Sequence, residues 1–299
     1  MVKLYKQSSN RKNKFIGGIE TEKYFIECKP TRDIEKWLTQ TNPIDIKKER
    51  AIIEALLQDE RFQKDLKVIV KMSESKTIEK EYDIANKLKN IPGFILFICK
   101  MSCKDNLDRY IHKNIKICSQ NDTDHLYNLL IMPYISGGSM RVYNFIDKPD
   151  KLISCLSQLI VSLFLAFKEH GFLHTDIHLD NVLLRKTKKI NIKYNDIEIK
   201  SEGLQICIMD FDLSFIGVDI KQNISLFYKD IQKIFYELDY KMKLEFTNQK
   251  EIMKLIEFKI NNTASTLKLD VNDILELVKN ITYVNKQPEP TLKYNPNIF

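Results

Sequence analysis

The stretch Gly171-Phe172-Leu173-His174-Thr175-Asp176-Ile177-His178-Leu179-Asp180-Asn181-Val182-Leu183-Leu184 decides how this chain is read, together with Ile208-Met209-Asp210-Phe211-Asp212 downstream. A polar segment carrying His174, Asp176 and Asn181 runs into the apolar, strand-like Val182-Leu183-Leu184, and the second cluster ends another apolar run with a carboxylate. Single Asp, Asn and His residues in loops commonly mean no more than turns or caps. Two such clusters in this order also suit phosphoryl transfer, which needs an orienter or base for the acceptor hydroxyl and oxygen ligands for a divalent cation. Asp176 suits the first task, and Asn181 with Asp210 the second.

These residues resemble the catalytic core of the eukaryotic-type protein kinase superfamily, with the H-x-D-x-x-x-x-N order of its catalytic loop. Within it they are most similar to the haspin-like branch and the related serine/threonine kinases of large DNA viruses. The resemblance runs from about Leu129 to Leu238 and continues more weakly toward the N-terminus. Its specific part is the wording Asp180-Asn181-Val182-Leu183-Leu184-Arg185-Lys186-Thr187 and Gly203-Leu204-Gln205-Ile206-Cys207-Ile208-Met209-Asp210 on either side of an insert. His178 stands where most protein kinases have Lys, as in haspin-type kinases. The resemblance implies an α+β, two-lobed protein-kinase-like fold: a small β-rich N-lobe over residues 1–132, a hinge over 133–139 and a larger α-helical C-lobe over 140–299. It also implies ATP and Mg2+ as cofactors and a protein hydroxyl as acceptor. Asp176, His178 and Asn181 are then catalytic, with Asn181 and Asp210 on the metal. Choline- and aminoglycoside-type kinases share the H-x-D-x-H-x-x-N string, so a small-molecule acceptor stays open. A pseudokinase binding module stays open too, because Asp212 replaces the glycine of the D-F-G motif.

Upstream, Phe15 to Cys28 reads as strand, Gly-bearing turn, strand. In a kinase this hairpin lies over the ATP phosphates, with Gly17 and Gly18 letting backbone N–H groups come close, although adjacent glycines in a hairpin need no ligand. From Pro30 to Lys64 the spacing of Ile34, Trp37 and Leu38, then of Ile52, Ile53, Leu56 and Leu57, predicts a helical insertion that departs from the family pattern. Leu66-Lys67-Val68-Ile69-Val70-Lys71 is a β-branched strand that resembles the one carrying the nucleotide lysine, so Lys71 is either that residue or an ordinary strand-end lysine. Lys76 to Leu88 forms a helical stripe carrying Glu81, whose carboxylate needs a cation; Lys71 is the natural one, and Glu79 is the competitor for it. Ile95 to Cys99 and Leu129 to Met132 read as buried strands. Met132-Pro133-Tyr134-Ile135-Ser136-Gly137-Gly138-Ser139 then resembles the hinge, with backbone at Met132 and Tyr134 facing a purine edge. Apolar residues from Leu152 to Phe167 predict a long helix that ends at a Gly171 C-cap. By the resemblance His174 braces the loop and Asp230 anchors it from beneath, while His178 either touches phosphate or substrate or merely packs. Thr175 stands where many kinases carry the Arg that pairs with a phosphorylated activation loop, and the segment beyond Asp212 is short and lacks an A-P-E motif.

At 299 residues and 43% apolar content the chain can bury ample core. Its net charge of +7 is carried mainly by scattered Lys, without the clustered Arg, Lys and aromatic face of a nucleic-acid reader, so nucleic acid is not an expected partner. Lys186-Thr187-Lys188-Lys189 reads as a solvated turn. The six cysteines form no C-x-x-C pair and are expected as free thiols in a reducing compartment. Met1-Val2-Lys3-Leu4-Tyr5-Lys6 turns polar at once, unlike a signal peptide, and no run is expected to reach bilayer-spanning length. The expected setting is soluble and intracellular, away from membranes: cytoplasm or nucleus, or virion or host cytoplasm for a viral chain.

Overall fold

Along β2 (Arg50–Leu57) Ala51, Ile53, Ala55 and Leu57 are buried while their neighbours are not, and this period of two builds a sheet. The computed structural model of the protein describes residues 38–47, 50–58, 66–112, 115–118, 125–240, 242, 248–261 and 270–281. In it β1 (Leu38–Lys47), β2, β3 (Leu66–Ser73), β4 (Cys99–Lys104) and β5 (Leu126–Pro133) form an antiparallel sheet in the order β1-β2-β3-β5-β4. One helix, α1 (Thr77–Leu88), follows β3 directly.

The helical insertion expected over 30–64 is corrected here: residues 38–47 and 50–57 are a pair of strands. Ile52, Ile53, Leu56 and Leu57 fit a helical stripe on paper, but so short an apolar run also fits a strand. Pairing decides between the two, because Ile52 lies opposite Lys71 and Ile53 opposite Val70, which extends a β-branched strand already in place. The N-terminal and C-terminal ends of that expected insertion, and the hairpin 15–28 with Gly17 and Gly18, lie outside the described residues. The strand expected over Ile95–Cys99 begins only at Cys99, although Ile95, Phe97 and Ile98 are buried as expected.

Beyond β5 the chain is mainly helical, with α2 (Pro149–His170), α3 (Ile220–Tyr240), α4 (Gln249–Asn261) and α5 (Asn272–Lys279). Two small antiparallel pairs interrupt it: β6 (Val182–Lys186) with β9 (Leu204–Ile208), and between them the hairpin of β7 (Asn191–Tyr194) and β8 (Ile197–Lys200). This mixed α+β arrangement is compatible with a kinase-like two-lobed fold. Gly171 ends α2 at φ +59°, and a side chain there would run into the Val218 carbonyl oxygen. By length and apolarity the 22-residue α2 does reach what a bilayer crossing asks, which corrects the expectation that no run would. Its apolarity has another cause: 83% of its most apolar stretch is buried inside the protein. Its buried residues join one core with those of α1, α3, α4, α5, β6 and β9.

The expectation of free thiols is corrected at Cys99, which is disulfide-bonded, and at Cys103 and Cys118, which form a disulfide with Cα atoms 5.6 Å apart. No local motif joins residues 15 apart; the fully buried Asp105 brings them together by accepting from the Cys118 N–H at 2.6 Å. Cys155 and Cys207 are free and buried.

A strand and a helix assign different costs to neighbouring isoleucines. Ile53 is fully buried and Ile52 only partly. Ile53→Ala should therefore destabilise by about 2–5 kcal/mol in urea unfolding and Ile52→Ala by distinctly less. Equal losses would speak against the strand.

Candidate active site

The site is built on one face of α3. Asp230, Lys233 and Glu237 follow one another at helical spacing and meet the loop 174–179 in the same order. The Asp230 carboxylate accepts from the backbone N–H groups of His174 at 3.0 Å and Thr175 at 3.2 Å. Lys233 Nζ donates to Asp176 Oδ1 at 2.9 Å, and Glu237 accepts from the Leu179 N–H at 2.7 Å. Burial pushes Asp230 up to about 6, against the pull of those two N–H groups. For Asp176 burial acts upward as well, but the hydrogen bond and charge of Lys233 more than reverse it and hold the carboxyl below its ordinary value.

The loop's interior is aromatic. Phe211 is fully buried among Phe94, Phe97 and Phe172, with ring centroids 6.0–6.4 Å away, and His174 lies 5.8 Å from it. His174 donates from Nε2 to the Met209 carbonyl oxygen at 3.0 Å, while its buried Nδ1 has no partner. The ring is therefore neutral with its proton on Nε2, and burial lowers its pKa to about 4. Asp210 follows at φ +68° and Thr175 stands at φ +60°, a region unfavourable for a β-branched residue and one where strain gathers at functional sites.

Across the cleft Lys71, on β3, forms ion pairs with Glu81 of α1 and with Asp210, the latter at 2.9 Å. Burial alone would lower the Lys71 pKa; Glu81 and Asp210 together raise it above an ordinary lysine, so the ammonium stays charged. Glu81 is 1% exposed and faces Lys71, whereas Glu79 is exposed and lies 3.9 Å from Lys100. Asn181 is buried, and its Nδ2 donates to the Asp176 carbonyl oxygen at 3.2 Å. That bond leaves the amide oxygen for another partner. With the carboxylate of Asp210 it makes the all-oxygen donor set that a hard divalent cation such as Mg2+ takes, so these residues fit the metal. Asp212 adds a third carboxylate, grouped with Glu81 and Asp210 within 4.8 Å.

Of the other expected residues, His178 lies between two carboxylates, 3.7 Å from Asp176 and 3.9 Å from Asp180. Met132 is buried in β5 opposite Ile69. The Tyr134 N–H donates to the Lys67 carbonyl oxygen at 3.2 Å, so that group does not face a purine edge, and the ring lies under the Lys67 ammonium. Sequence reasoning missed Lys233, the network in which Arg141 holds Asp180 at 2.8 Å and Glu237 at 3.5 Å, and the acidic role of Asp212. Lys233 and Glu237 lie at i+3 and i+7 from Asp230, and that helical spacing was the available signal.

Comparison with known proteins adds two likenesses. A family model described as "Poxvirus serine/threonine protein kinase" matches residues 150–279, from the start of α2 to the end of α5. The chain is also 26% identical over 110 residues to a "Serine/threonine-protein kinase haspin homolog" of Drosophila melanogaster. That match covers 34% of this chain and 19% of the relative, so the chain spans well under two thirds of it.

The neutral His174 sets a pH dependence. In an unfolded chain histidine titrates near 6.5. Between that value and about 4 the unfolded state binds the extra proton, so His174 makes stability fall as pH falls. Compared with His174→Gln, the wild-type stability in urea unfolding should drop by about 2 kcal/mol between pH 7 and pH 5. A constant difference would mean that His174 is not held neutral.

Proposed function

We propose that this chain, a serine/threonine protein-kinase-like protein of the haspin-like and viral type, moves the γ-phosphoryl group of MgATP to a serine or threonine hydroxyl of a protein. The observation that carries the reading is the Lys71 ammonium held by both Glu81 and Asp210, 10 and 139 residues away, beside the loop of Asp176 and Asn181. Lys71 would orient the α and β phosphates, with Glu81 keeping its ammonium in place. Asn181 and Asp210 would hold Mg2+, which would supply the positive charge that offsets charge developing on the phosphates. Asp176 would orient the acceptor hydroxyl and take its proton, and its depressed pKa keeps it ready to do so at neutral pH. The lobe boundaries 1–132, 133–139 and 140–299 and a soluble, intracellular setting belong to the same proposal.

The roles of the two aspartates separate binding from chemistry. Asp176→Asn should keep MgATP affinity within a few-fold, while turnover of a degenerate Ser/Thr peptide library falls by roughly 10²-fold or more, as for a lost general base. Asp210→Asn should weaken Mg2+-dependent nucleotide binding, and added Mg2+ should partly restore it. Calorimetry beside turnover measures both. Full turnover by Asp176→Asn would falsify the assignment, and transfer only to amino alcohols or sugars would replace the protein acceptor with a small molecule.

Activity should not need a phosphorylated activation segment. Seven residues, 213–219, join Asp212 to α3. Neutral bonds fasten this stretch: Thr175 Oγ1 to the Leu213 carbonyl at 2.8 Å, Ser214 Oγ to the His174 carbonyl at 3.1 Å, and a β-bridge between Leu173 and Phe215. Ser214 is fully buried, and these bonds order the segment without a cation–phosphate pair. Protein made in bacteria and treated with phosphatase should keep most of its peptide phosphorylation; a large loss that rephosphorylation restores would contradict this.

A further inference from the structure

We propose that Lys233 of α3 is a catalytic cation of the transfer step, holding Asp176 before transfer and donating to the phosphoryl group during it. This rests on the kinase reading above. The observation is the 2.9 Å bond from Lys233 Nζ to Asp176 Oδ1, with both side chains 39% exposed on the open side of the loop. An ammonium has three donors. Among the described residues Asp176 takes one of them, which leaves donors for a second acceptor.

Three other cations nearby, among the described residues, hold other groups. Lys71 is held between Glu81 and Asp210, Arg141 between Asp180 and Glu237, and Lys80 donates to the Asp212 carbonyl oxygen at 2.8 Å. On the acceptor side, where Asp176 and Asp180 bring negative charge toward an anionic phosphoryl group, Lys233 is, among the described residues, a partly exposed cation that already holds Asp176 and can turn toward phosphate. Helix α3 fixes its position. Asp230, one turn earlier, holds the backbone N–H groups of His174 and Thr175, so Lys233 reaches a carboxylate whose main chain the same helix has already set.

The step is as follows. The acceptor oxygen forms a bond to the γ-phosphorus, and its proton passes to Asp176. The bond from that phosphorus to the bridging oxygen breaks, and its electron pair leaves on the β-phosphate of ADP. Lys233 keeps all its protons. As Asp176 becomes neutral its hold on Lys233 weakens, and the ammonium donates instead to the equatorial oxygens of the group in transit. Such an interaction is stronger in the transition state than in the ground state, so it acts on kcat and leaves nucleotide binding alone.

The test uses the full chain with labelled MgATP and a degenerate Ser/Thr peptide library, and measures kcat, KM and the MgATP dissociation constant for wild type, Lys233→Ala and Lys233→Arg. Lys233→Ala should lower kcat by about 10²-fold, the effect of removing one donor to a developing anion. Its MgATP dissociation constant and melting temperature should match wild type, and Lys233→Arg should recover most of the rate. Wild-type kcat in Lys233→Ala would overturn the role of Lys233 alone. A loss tracking a fall in melting temperature or in MgATP binding, unrescued by Arg, would make the residue structural and overturn it as well. A wild type that transfers to no acceptor would overturn the kinase reading, and this inference with it.

Discussion

A buried loop must find partners for its backbone N–H groups, and here one helix face supplies them. Asp230, Lys233 and Glu237 advance about 10 Å along α3 over seven residues, and the loop from His174 to Leu179 runs alongside. Asp230 and Glu237, both buried, accept three of the loop's N–H groups, while Lys233 holds the Asp176 side chain. The buried bonds from Asp230 and Glu237 are worth about 1.5–3 kcal/mol each, and the half-exposed Lys233 pair adds little to stability. That energy holds Thr175 at its unfavourable positive φ and turns Asp176 outward. Most of the loop's shape is thus set by α3 and little of it by local propensity.

The second constraint ties the sheet to the helical part. Lys71 lies on β3, Glu81 on α1 and Asp210 just after β9, so one ammonium joins three elements far apart in the chain. Beneath it, Phe211 is enclosed by Phe94, Phe97 and Phe172, and Ile95 and Ile208 share a backbone hydrogen bond at 2.9 Å. Asp212, in the place of a glycine, leaves this geometry intact. Its own backbone carbonyl accepts from Lys80, and the Phe211 ring beside it remains in the core.

Where sequence and structure part, partners distant in the chain made the difference. Residues 50–57 became a strand because β3 offered them a complementary edge. Cys103 and Cys118 met because Asp105 gathers its neighbours, accepting from Arg109 at 3.0 Å as well as from Cys118. The apolar length of α2 would have suited a bilayer, yet a helix surrounded by other elements of one core needs the same composition. None of these outcomes is written in a local window of residues.

Much was nevertheless legible from sequence. The long helix closed by Gly171, the strand with Lys71 and the helix with Glu81 all follow from local rules: apolar periodicity, a left-handed glycine cap, and a buried carboxylate in need of a cation, while the α+β class follows from the resemblance to kinases. The order of His174, Asp176, Asn181 and Asp210 marked where the polar loop and the end of β9 would converge. Tertiary structure alone decided that Lys233 holds Asp176, that Arg141 and Glu237 brace Asp180 and Leu179, and that the Tyr134 N–H belongs to the sheet. The physical reason is that periodicity and capping act over a few residues. A charged side chain takes whichever opposite charge or unpaired N–H the packed helices and strands bring within about 3 Å, and that choice is made across the whole chain.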